Sequence, residues 1–138
     1  MDEKAENKAE KDKPKFDWVT ERSACSLPKV FQELRLQVEE DVKTRNGLRP
    51  PNSPYEFSVV ENGEEFTAIL EAKELRRSVI FSLGEHAILV RGGENDLKLE
   101  VRLNFTDEGK CTLNVDGKQH EFWQVRRMAL EDLMFRHE

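Results

Sequence analysis

The chain has 138 residues, 36% of them charged and 37% hydrophobic, with a formal net charge of −6. That length suits one domain plus a tail and is enough to bury a real core. The acidic balance lacks the global basic field that draws a protein onto nucleic acid or anionic lipid. No apolar run approaches the ~18 residues of a membrane span, and the N-terminus lacks the apolar centre of a signal peptide, so the default expectation is a cytoplasmic protein. Cys25 and Cys111 lie far apart with no partner motif and are expected to be free thiols in a reducing compartment.

Residues 1–15 are, after Met1, Asp, Glu, Lys, Ala and Asn with one proline. Their acidic and basic side chains balance and they carry little to bury, so they are expected to form a disordered, solvated tail. A single α+β domain is expected over 16–138, beginning near Phe16 and Trp18. The segment "SLPKVFQELRLQVEEDVKTRNG" predicts a helix with Ser26 as N-cap and Pro28 in the first turn. Phe31, Leu34, Val38 and Val42 recur on one face, extended by Leu27. Lys43 and Arg45 suit the negative end of the helix dipole, and Glu39 and Asp41 each stand four residues before one of them. Asn46-Gly47 supplies the stop, and the prolines of "LRPPNSP" make a rigid connector.

The middle of the chain reads as consecutive hairpins. Asn62-Gly63 separates "YEFSVV" from "EFTAIL", and Gly84-Glu85 separates "RSVIFSL" from "HAILVR". The segment "EEFTAILEAKELRR" also fits a helix, with Phe66, Ile69, Leu70 and Lys73 along one side. A strand over Glu65–Glu71 is preferred because the Asn-Gly turn needs a partner. In "LKLEVRLNF", Leu97, Leu99, Val101, Leu103 and Phe105 alternate with polar residues, the mark of one buried and one wet face. "TDEGK" leads into "CTLNV", where Cys111 alternates with Leu113 and Val115 as a core thiol, and Asp116-Gly117 turns into "KQHEF". From Trp123 the period becomes helical, with Val125, Ala129 and Leu133 on one face, broadened by Met128, Leu130 and Met134. The expected fold is a two-layer α+β domain, an antiparallel meander of about six strands with an N-terminal and a C-terminal helix packed on one face.

Candidate functional residues are few. His120 alternates with Phe122, and no nucleophile or carboxylate stands near it in the pattern that general-base chemistry needs. Trp123 and Phe122 are expected to lock the last helix to the sheet. Arg126 and Arg127 diverge by roughly 100° on a helix and cannot form one fork, and Arg127 stands four before Glu131. Arg76 and Arg77 form a second basic pair beside a strand. The six residues His120, Trp123, Arg126, Arg127, Arg76 and Arg77 are the candidate ligand-contacting set, and no catalytic set is assembled. The dispersed His86, His120 and His137 lack metal-ligand spacing, so no metal or cofactor is expected. Cys25 begins a helix, where a thiol pKa can fall, but no histidine or lysine lies close to it in sequence. The expected function is a small non-catalytic binding or adaptor domain with a protein partner or self-association. The rival expectation is an enzyme or small-ligand protein with a pocket between sheet and helices, and nucleic acid is not the expected partner.

Overall fold

The computed structural model describes residues 16–93 and 95–136, so the expectation for the 1–15 tail lies outside the described residues. Among the described residues, three helices, α1 (Trp18–Ala24), α2 (Leu27–Gly47) and α3 (Phe122–Phe135), accompany seven strands. The strands are β1 (Glu56–Asn62), β2 (Glu65–Ala72), β3 (Leu75–Leu83), β4 (Ile88–Gly92), β5 (Leu97–Phe105), β6 (Cys111–Val115) and β7 (Lys118–His120). They form one antiparallel sheet whose spatial order is the chain order. The α+β class and the flanking helices are as the sequence predicts, and the segment that also fits a helix is strand β2.

The register explains the two-layer packing. Phe66 stands opposite Phe81, Phe81 opposite Val90, Val90 opposite Leu99, and Val101 opposite Val115. Because strand side chains alternate, these residues share one face. Against that face α2 lays Phe31, Leu34, Val38 and Val42, and α3 lays Val125, Ala129, Leu130 and Leu133, all buried. The Phe66 ring lies 4.5 Å from Phe81 and 5.1 Å from Phe31, so helix and sheet meet through aromatic contacts. Turn chemistry sets the ladder. Gly63, Asp116 and Gly117 have positive φ, as two-residue hairpin loops require. Pairing of Asn62 with Glu65 makes Gly63-Glu64 the loop, one residue beyond the expected centre.

Three features depart from expectation. The short helix α1 was not expected. Asp17 caps it, accepting hydrogen bonds from the Val19 and Thr20 amides and, at 2.6 Å, from the Thr20 hydroxyl. The Thr20 hydroxyl bond, helped by the amides, holds the Asp17 carboxyl below its ordinary value. No residue of α1 is buried, while the tip of the Phe16 ring lies against Gly109 in the β5–β6 hairpin. A Cβ at Gly109 would come within 2.1 Å of the Phe16 ring, and Gly109 also has φ +80°.

The second departure corrects the expected free thiols. Cys25 and Cys111 form a disulfide, joining the α1–α2 junction to β6. A separation of 86 residues in the chain is closed by folding: the β5–β6 hairpin brings Cys111 beside the start of α2. Cys111 is therefore a bridged cysteine and not a core thiol, and Cys25 is not a reactive one.

The third departure concerns charges on α2. Glu39 pairs with Arg35 at 2.8 Å and Asp41 with Arg126 at 2.6 Å, so neither serves the base four residues ahead. Arg45 is 4% exposed. Its Nε donates to the Met134 carbonyl at 3.0 Å and its guanidinium lies over the rings of Phe57 and Phe135. A residue that fits the helix dipole in sequence thus ties α2 to the end of α3.

Candidate functional site

The two long helices lie side by side on the sheet, and their outer flanks leave a groove of about 410 Å³. The helical period sets which side chains reach it. On α2, Asp41, Thr44, Arg45 and, just past the helix, Leu48 rise at three- and four-residue steps. On α3, Trp123, Arg127, Leu130 and Met134 do the same, with Arg126, Glu131 and Phe135 beside them. Leu48, Trp123 and Phe135 are exposed, Trp123 at 49%. This corrects the expected role of Trp123. Phe122 packs on the core, whereas Trp123 stands in the groove wall with its indole N–H donated to Glu121 at 2.8 Å.

The arginines of the groove are held and directed. Arg126 is clamped by Asp41 on α2, at 2.6 and 3.4 Å, and also donates to Gln37. It therefore closes the floor between the helices. Arg127 pairs with Glu131 one turn on, at 3.2 Å, as its spacing predicts. Arg126 and Arg127 each have a carboxylate in place and Arg45 is bonded to the Met134 carbonyl, so the groove presents apolar surface with its cations engaged, not a bare anion site.

A second, smaller depression is lined by His120, Trp123, Gln124 and Arg127, with Met128 and Glu131. His120 Nδ1 lies 2.8 Å from the Lys118 carbonyl. A carbonyl only accepts, so Nδ1 is the donor in this contact. His120, Trp123, Arg126 and Arg127 are thus gathered on one flank of α3. Arg76 and Arg77 are not part of it. They sit at the start of β3, opposite Glu71 and Leu70, and line neither depression. The residues that sequence reasoning missed are Leu48, Arg45, Met134 and Phe135. An exposed leucine just past a helix stop and a phenylalanine beyond the last buried turn were the available signals. Among the described residues, no group of three or more His, Cys, Asp or Glu that could hold a metal is gathered. Nor, among the described residues, is any helix long and apolar enough to cross a membrane.

No family model, curated protein or solved structure matches the chain.

Proposed function

We propose that the chain is a small non-catalytic binding module that contacts another protein through the α2–α3 groove. The observation that carries this reading is an open apolar groove, with Trp123, Leu48 and Phe135 exposed along it, beside a closed interior. Contiguous exposed apolar surface rimmed by polar groups marks interaction sites, and aromatic and arginine side chains dominate such contacts. The groove follows two neighbouring helices, which suits the apolar face of an amphipathic helix. The rival reading, a ligand pocket between sheet and helices, has less support, because Phe66, Phe81, Leu34 and Leu70 fill that space and are fully buried. Nucleic acid binding also has little support, since Arg126 and Arg127 already carry carboxylate partners. A cytoplasmic location rests on sequence alone and sits against the Cys25–Cys111 bond, because cytosolic thiol pools keep cysteines reduced. The bond favours an oxidising compartment.

The test is selection from a random peptide library, followed by calorimetry on the wild type and on Trp123→Ala and Leu48→Asp. Selected peptides are expected to carry apolar residues at helical spacing and to lose binding to both variants while the fold is kept. Peptides that bind all three proteins equally, or an empty selection, overturn the reading.

A further inference from the structure

The outer edge of β1 is half closed. Asn46, near the end of α2, donates Nδ2 to the Phe57 carbonyl at 2.8 Å and accepts the Phe57 N–H at 3.1 Å. That reciprocal pair is what a neighbouring strand would make. It shows that Phe57 directs its backbone groups away from β2, and by alternation so do Val59 and Glu61. Among the described residues β1 pairs on one side only, with β2, and no described group bonds the outward N–H and C=O of Val59 or Glu61. The opposite edge, β7, is three residues long against seven in β1. A short edge is protected, whereas a long open one is a template for another strand.

We propose that a second copy of this chain pairs with the free half of β1, antiparallel, about a two-fold axis at Val60. Three observations fit that occupant. The outward groups of Val59 and Glu61 then meet those of Glu61 and Val59 in the second copy, and Phe57 keeps its Asn46 cap. Val60 is 51% exposed on the wet face, and the axis sets it directly against its own copy, so the exposed apolar surface is self-complementary. The third observation is charge. Helix α2 runs back along β1, with Asn46 beside Phe57 and Arg35 within 3.4 Å of Glu61. The depression at Val59 is flanked by Glu39 and Lys43. Glu39 and Lys43 therefore stand over the edge at Val59, so each copy brings charges of both signs to the seam. Leu36, 49% exposed, shares their helical stripe by its spacing. An isologous contact of this kind closes at two subunits and extends the sheet across both. It is independent of the α2–α3 groove.

Sedimentation equilibrium over a wide concentration range tests it, together with oxidative cross-linking. The wild type is expected to show a reversible monomer–dimer equilibrium. Val59→Pro removes an outward N–H that β2 does not use, so the fold survives, while the dissociation constant rises by about tenfold or more. In the pairing proposed, the two Val60 Cα atoms stand about 4.5 Å apart, within disulfide range. Val60→Cys is expected to cross-link as a dimer and Ser58→Cys is not, because its own copy stands several residues along the strand. Trp123→Ala is expected to dimerise like the wild type, which separates this inference from the groove reading. A strictly monomeric wild type overturns the proposal. Equal cross-linking of the two cysteine variants, or a dimer indifferent to Val59→Pro, overturns it as well.

Discussion

Trp123 and Phe66 are both large aromatic residues, and the structure gives them opposite work. Phe66 is fully buried between Phe31 and Phe81, so Phe66→Ala is expected to cost about 3–5 kcal/mol. Trp123 is half exposed with its indole bonded to Glu121, so Trp123→Ala is expected to cost at most about 1 kcal/mol, as surface changes do. Chemical unfolding of the two variants decides this, and a Trp123→Ala loss equal to that of Phe66→Ala would make the groove wall part of the core. The difference was not legible in sequence, because a strand-to-helix joint offers two adjacent aromatics and the turn angle decides which one goes inside. Adjacent residues in β5 were legible. Val101 is fully buried and Arg102 exposed, as period-two alternation demands. Val101→Asp is expected to abolish folding, since a buried unpaired carboxylate costs several kcal/mol, while Arg102→Asp is expected to stay folded by circular dichroism.

At the scale of elements, legibility followed how local the signal is. Helix α2 carries its own period, start and stop within its length, and the hairpins carry their turn residues. Helix α1 carries Asp17 and Thr20 as a start signal, but it buries nothing and so has no apolar period to reveal it. Its capping makes a pH prediction. The Asp17 carboxyl is held below its ordinary value of 3.8 by the Thr20 hydroxyl and the capped amides. For a depressed carboxylate the stabilising contribution is present above the unfolded value and is lost as pH falls through the lowered folded value. Helix α1 is therefore expected to fray only in strongly acid solution, seen as faster amide exchange at Val19 and Thr20 while α2 and the sheet stay protected. Asp17→Ala is expected to show that fraying at neutral pH. The last-turn position of Arg45 was legible but its clamp was not, for a related reason: a base there fits the dipole, and only the arrival of α3 buries it.

For the whole molecule, the meander is the simplest sheet topology, with every strand beside its neighbour in sequence. Local rules therefore reached the fold class, while contacts across the sequence stayed hidden. The Cys25–Cys111 bond is the clearest case, because its partners are 86 residues apart and only the folded hairpin brings them together. Closing so long a loop restricts the unfolded chain, which makes the bond worth about 2–5 kcal/mol. Thermal unfolding with and without a phosphine reductant is expected to show a lower midpoint on reduction, with β1–β5 still formed at room temperature. An unchanged midpoint would mean that the bond lies idle.

That bond also divides the chain into a covalent ring and two ends outside it. The ring runs from Cys25 to Cys111 and holds α2 and the first five strands. A protease that nicks the 84–87 loop leaves two pieces that still migrate together until a reductant is added. A nick at Asp116-Gly117 has a different outcome. The piece beyond it, β7 with α3, is outside the ring and is held without a covalent link, by the β6–β7 ladder, by packing and by contacts such as Arg126–Asp41 and Arg45–Met134. Denaturation without reductant is expected to release this piece and to keep the rest joined. One wall of the groove thus belongs to a part of the described fold that a single backbone cut can detach, and α2, the opposite wall, would stay behind within the ring.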